Sequence, residues 1–121
     1  TTILHAETEA EYSTTKYKLH KLLTWLQEHC FEEHNWPQLA EKFHLTTRTA
    51  FRHIKEATGL TPDNYLKRLR LVSARVKLRE TDMTITEVAY LCGFANSNHF
   101  TTLYKKVFGL TPSEDRRRLL R

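Results

Sequence analysis

The tetrapeptide GLTP stands twice in this chain, at 59–62 and at 109–112, and what precedes each copy constrains the fold more than any other feature. Leu39, Ala40, Phe43 and Leu45 keep the same apolar register as Val88, Ala89, Cys92 and Phe94. Ala50 and Ile54 then match Phe100 and Tyr104, with one residue inserted at the hinge. Taken alone, GLTP is only a helix-stop, helix-start signal found in any all-α bundle. The matched register upstream is what argues for a duplicated supersecondary unit. In the second copy Ile85, Val88, Ala89 and Cys92 fall at i, i+3, i+4 and i+7, one face of a helix. Phe100, Leu103, Tyr104, Val107 and Phe108 form another such face. Between them Gly93 suits a left-handed helix end, Phe94 a hydrophobic plug, and Asn96 or Ser97 the next N-cap. Helix, tight turn, helix is a helix-turn-helix unit, and this chain has two.

A length of 121 residues allows one domain, or two small lobes sharing a connector. With three Gly, three Pro and no alternating strand pattern, the expected class is all-α: two helix-turn-helix subdomains on a long central helix, about seven helices in all. Residues 1–15 show no sustained period and read as a linker or disordered segment. The first subdomain is assigned to 16–60, the connecting helix to 61–80 and the second subdomain to 81–121.

In the first subdomain a helix from Lys16 buries Leu19, Leu22, Leu23, Leu26 and Cys30. Asn35 caps a short helix with Pro37 in its first turn. His44 and Leu45 make the turn, Thr46 caps the third helix, and Gly59 stops it. Thr61 caps the connecting helix, with Pro62 first in it. On that helix Tyr65, Leu69, Val72 and Val76 gather on one side, Leu71, Ala74 and Leu78 on the other. Two opposed stripes predict a rod gripped from both sides. Its length of about 27 Å approaches the roughly 34 Å between major-groove faces on one side of B-DNA.

Charge narrows the class of partner. The chain is net +5, but residues 1–43 are net −3 and residues 44–80 net +6. Positive charge begins where the first hinge begins. On the third helix Ala50, Ile54 and Ala57 point inward, with Arg48, Arg52 and Lys55 opposite. On the sixth, Asn98, Thr102 and Lys105 occupy the equivalent outward positions. Neither triplet holds an acid. Early outward positions on the second helix of such a unit reach base edges. There Arg pairs with guanine and Asn with adenine, each through two hydrogen bonds, while Lys suits phosphate.

No apolar run approaches a membrane span and no secretory signal is present, so no membrane partner is expected. Cys30 and Cys92 lie on apolar stripes, as small buried hydrophobes in a reducing, cytoplasmic setting do. His29 and His34 are five residues apart and do not share a helical face, so neither a metal nor a cofactor is expected. No nucleophile with a base partner, phosphate-cradling loop or paired carboxylates points to an enzyme. A helical adaptor that meets an acidic protein through its basic face is the alternative to a DNA-binding regulator.

Residues 17 to about 118 resemble the DNA-binding domain of the AraC/XylS family of bacterial transcription activators. Ile85, Ala89, Gly93, Phe94, Phe100, Phe108, Gly109, Thr111 and Pro112 carry the likeness. NWPQLAEKF, GLTPDNYLKRLRL and CGFANSNHF are similar to the pattern of the rhamnose-operon activators within it. The resemblance implies two helix-turn-helix lobes entering adjacent major grooves of double-stranded DNA. It implies base contacts from Arg48, Thr49 and Arg52 in one half-site and from Ser97, Asn98, His99 and Thr102 in the other. Phosphate contacts would come from Thr46, Thr47, Lys55, Lys105 and Lys106. It further implies a nucleoid-associated protein of sugar catabolism, with an effector sugar bound by an N-terminal domain, and Glu87 as the candidate contact to the polymerase sigma subunit. The chain opens on Thr1, which reads as a fragment of such a protein. Three positions depart from the pattern. Asn96 replaces an acid, Ala50 replaces a larger aliphatic and leaves room for Phe51 to shift, and Asp115 replaces an aromatic, so the last helix is expected to pack less firmly.

Overall fold

The computed structural model describes residues 2–119, with side chains described over 14–118. Seven helices follow one another: α1 (Thr2–Glu28), α2 (Trp36–Lys42), α3 (Thr47–Thr58), α4 (Pro62–Glu80), α5 (Ile85–Leu91), α6 (Ser97–Phe108) and α7 (Pro112–Leu119). The described residues contain no strand, and the fold is all-α as expected. The chain forms two compact units, residues 1–29 with 34–65, and residues 30–33 with 66–121. The uninterrupted helix α4 passes from one to the other between Tyr65 and Leu66.

The helix ends are set locally. Asn35 caps α2 by accepting the Gln38 amide at 3.1 Å, and Thr46 caps α3 by accepting that of Thr49 at 3.1 Å. Thr61 does the same for Asn64 at 3.3 Å. Each satisfies one of the amides that the first turn of a helix leaves unpaired. Gly59 and Gly109 end α3 and α6 in the left-handed conformation. Thr84 and Glu87 close a capping box on α5, and the Thr-x-x-Glu spacing is its sequence signature.

The first unit packs α3 against α1 and α2. Leu22, Leu26, Leu39, Ala40, Ala50 and Ile54 are among its buried side chains. The second gathers Leu71, Ala74 and Leu78 of α4 with Val88, Ala89, Cys92, Phe94, Phe100 and Tyr104 into one core. Within this unit, polar contacts hold the stretch 30–33 to α4. The Arg70 guanidinium donates to the Cys30 carbonyl through Nε at 2.5 Å and to the Glu32 carbonyl through Nη2 at 2.8 Å.

Four expectations are corrected. The segment 1–15, read as linker or disorder, is helical from Thr2 onward. It lacks an amphipathic period, but Ala6, Glu7, Glu9, Ala10 and Glu11 favour helix and no Gly or Pro interrupts them. Ala57 is exposed rather than inward. On α4 the stripe of Leu71, Ala74 and Leu78 is buried, but Val72 and Val76 of the opposite stripe are 48% and 45% exposed. The rod is therefore not gripped on both sides along its length, because the second unit needs only one apolar face of α4 to close its core.

Asp115 does not loosen α7; it anchors it. The carboxylate is buried and accepts the Tyr104 hydroxyl at 2.5 Å. Arg75 Nε lies 3.3 Å from the same carboxylate, without the alignment of a hydrogen bond, so that contact is ionic. The Arg75 guanidinium stacks over Phe108. Next to Asp115, Arg116 donates to the Leu78 and Thr81 carbonyls at the end of α4. A polar cluster thus holds α7 where loose packing was expected.

Candidate nucleic-acid interface

Each unit contains the same bihelical turn, built from backbone geometry before any functional side chain enters. In the first unit the Leu45 amide donates to the Ala40 carbonyl at 2.9 Å; in the second, the Phe94 amide donates to that of Ala89 at 2.9 Å. His44 donates to Glu41, and Gly93 to Tyr90. His44 and Gly93 both have positive φ, 59° and 85°. At Gly93 the turn also demands a missing side chain. A Cβ there would lie 2.8 Å from the Phe31 carbonyl oxygen and 3.0 Å from Arg70 Nε. Phe94 is buried behind the turn as the expected plug.

The turn delivers a capped helix start in each unit. On α3, the Thr46 hydroxyl accepts the Thr49 amide and donates to Thr49 Oγ1 at 2.8 Å. Both threonines are therefore engaged in the cap, and the Thr46 side chain is spoken for. Thr47 and Thr49 are half-buried, while Arg48, Arg52 and Lys55 are exposed. On α6 the choice between Asn96 and Ser97 resolves to Asn96, whose Oδ1 accepts the amides of Asn98 at 2.7 Å and His99 at 3.2 Å. Ser97 is half-buried; Asn98, His99, Thr102, Lys105 and Lys106 are exposed. Thr102 Oγ1 donates back to the Asn98 carbonyl at 3.0 Å, one turn earlier.

Each unit thus presents an acid-free row at successive turns of its second helix, Arg48, Arg52 and Lys55 on α3 and Asn98, Thr102 and Lys105 on α6. An α-helix start carries partial positive charge and unpaired amides, which favours an anion there. Long cations further along the helix extend that field. The arrangement can bind a polyanion through Lys and helix starts while Arg and Asn form paired hydrogen bonds. Phe51 is an addition to the α3 face: apolar periodicity gives no reason to expect an exposed phenylalanine beside Arg48. Glu87 is exposed, but one carboxylate oxygen accepts the Thr84 amide at 3.3 Å, so its first role is to cap α5.

Cys30 and Cys92 are buried free thiols. Burial pushes the Cys92 thiol up to about 11, against opposing charge from Lys77. Among the described residues no group of three or more His, Cys, Asp or Glu is placed to hold a metal ion, and no helix is long and apolar enough to cross a membrane.

Known proteins share this architecture. The family model for a helix-turn-helix domain matches residues 39–118. The HTH-type transcriptional activator RhaS of Salmonella schwarzengrund is 50% identical over 99 residues, 82% of this chain and 36% of that protein. RhaS of Salmonella arizonae matches to the same extent. The chain thus spans little more than a third of the length of these curated relatives. Among solved structures, a transcriptional regulator from Chromobacterium violaceum with an AraC-type DNA-binding domain aligns with a TM-score of 0.81 at 27% identity. That alignment covers 88% of this chain and 96% of the other. The DNA-binding domain of AdpA, a global transcriptional factor solved with a target DNA, aligns with a TM-score of 0.74 at 27% identity, over 83% and 90% of the two chains.

Proposed function

The chain belongs to the AraC/XylS family of helix-turn-helix domains, and from that membership we propose that it is the sequence-specific, DNA-binding C-terminal part of a bacterial transcriptional activator. The observation that carries this is the pair of exposed, acid-free rows, each opening on a capped helix start behind the same turn. In this reading α3 and α6 enter successive major grooves of one duplex. Arg48 and Arg52 address guanines in one half-site, with Thr49 beside them. Asn98 addresses an adenine in the other, flanked by Ser97, His99 and Thr102. Lys55, Lys105, Lys106 and the helix starts at Thr46 and Thr47 hold phosphates and fix the register. The likeness to RhaS supports an operon of sugar catabolism, of rhamnose type, as the target. An effector sugar would then bind a part of the protein outside this chain. The free face of Glu87 is the place to look for a sigma-subunit contact. A cytoplasmic, nucleoid-bound location follows from the same reading.

The test is selection of preferred sites from a random duplex pool, followed by titration of the winner and of random duplex at two salt concentrations. Two half-sites about one helical turn apart, 34–36 Å, are expected. Arg48→Ala should cost about 1–3 kcal/mol on the selected site and relax preference at one base pair. Lys105→Ala should weaken every duplex alike and reduce the salt slope by about one unit. Equal losses on selected and random duplex for Arg48→Ala would refute base reading. Weak, sequence-blind binding by the unaltered chain would favour the adaptor.

A further inference from the structure

The exposed face of α3 carries a side chain that phosphate binding does not use. Phe51 is 38% exposed on a helix whose buried positions are Ala50 and Ile54. It stands three residues after Arg48 and four before Lys55, the spacings that put side chains side by side on a helix surface. Trp36 meets its ring edge to face, with centroids 5.9 Å apart and planes at 88°. That arrangement is the one ring quadrupoles favour. Trp36 is fixed in turn, because its indole N–H donates to Asp63 Oδ1 at 2.9 Å. Thus α2, α3 and the first turn of α4, all in the first unit, hold one apolar ring at the surface. Singly exposed apolar residues are common and need no explanation. A ring held in place by a second ring, itself hydrogen-bonded to a carboxylate on another helix, is a different object.

We infer that Phe51 reads a thymine through its 5-methyl group, and that Trp36 and Asp63 are positioning residues that hold the phenyl ring for it. The inference rests on the DNA-reading function proposed above. A phenyl ring has no donor or acceptor, so it distinguishes base pairs only by apolar contact. The thymine methyl is the apolar group that base edges offer in the major groove. Phe51 lies about one turn along α3 from Arg48, so the thymine stands next to the base pair that Arg48 addresses.

The experiment starts from sites selected by the 121-residue chain. Each thymine of the half-site assigned to Arg48 is replaced in turn by uracil, which removes the methyl group alone. One replacement should weaken binding about four-fold, the factor that burial of one methyl group supplies. The same replacement should leave Phe51→Ala unaffected and should still weaken Arg48→Ala. Trp36→Phe keeps a ring but lacks the N–H, and should shrink the uracil penalty while its salt slope stays unchanged. If Phe51→Ala does not fold, Phe51→Gln fills similar space at this part-exposed position and should likewise lose the penalty. No methyl-sensitive thymine in a selected site, or a penalty that persists without Phe51, overturns the inference. Failure to select any preferred sequence overturns the DNA-reading function instead.

Discussion

Gly93→Ala should destabilise the second unit far more than Gly109→Ala, although the two glycines share a backbone conformation. Their φ angles are 85° and 82°. An alanine in the left-handed region costs about 1–2 kcal/mol relative to glycine at either site. A Cβ at Gly109 meets nothing within 4 Å, so the cost there ends with the backbone. At Gly93 the new carbon would stand 2.8 Å from the Phe31 carbonyl oxygen, which is backbone, and 3.0 Å from Arg70 Nε. Arg70 is held by its hydrogen bonds to the Cys30 and Glu32 carbonyls. Shifting its Nε forfeits the bond to the Cys30 carbonyl, from a charged donor and worth about 1.5–3 kcal/mol. The expected totals are therefore roughly 3–5 kcal/mol for Gly93→Ala and about 1–2 kcal/mol for Gly109→Ala.

Urea unfolding followed by far-UV circular dichroism measures the difference. Both tryptophans, Trp25 and Trp36, lie in the first unit, so their fluorescence does not report directly on this turn. With a slope of 1–3 kcal/mol per molar urea, the two midpoints should separate by about 0.5–3 M. Equal midpoints at equal slopes would mean that the close approach of Phe31 and Arg70 contributes nothing, and the argument from contact would fail.

At the equivalent turn of the first unit, His44 has a φ of 59° and an exposed side chain. His44→Gly should raise stability by about 0.5–1 kcal/mol, while the carbonyl that accepts Lys18 Nζ is kept; a lower urea midpoint would count against strain there. Asp115→Ala leaves the buried Tyr104 hydroxyl without its acceptor, while Arg75, 39% exposed, keeps water, and should cost about 1–3 kcal/mol. Asp115→Asn keeps an acceptor for the Tyr104 hydroxyl and should cost less; equal losses in thermal melts would show that the hydrogen bond does not matter. Stability should also fall in alkali. The Cys92 thiol is held above its ordinary value of 9.0, at about 11, so the unfolded chain ionises first and stability present below pH 9 is lost as pH rises towards 11. Tyr104, raised by burial and then by its bond to Asp115, adds to the loss above pH 10. Cys92→Ala should flatten the fall between pH 9 and 11 in urea titrations; an unchanged slope would place the effect elsewhere.

What could be read from the sequence is what one turn of chain decides. Asn35, Thr46 and Thr61 cap their helices through amides three residues away, and Gly59 and Gly93 stop theirs by their own φ. The acid-free rows were legible for the same reason, since helical spacing alone says which residues stand together. What escaped was set by other parts of the chain. Asp115 looked like a lost plug because Tyr104 and Arg75, eleven and forty positions away, convert it into an anchor. Val72 and Val76 looked buried because periodicity marks an apolar face without saying what covers it. The helix over 2–15 has propensity but no stripe, and a search for stripes passes over it. Phe51 belongs with these. Its ring meets Trp36, which is bonded in turn to Asp63, on two other helices, and no window along α3 contains either. Exposed rows built by one helix can therefore be read from a sequence, whereas a side chain braced from outside its own helix appears only in the folded chain.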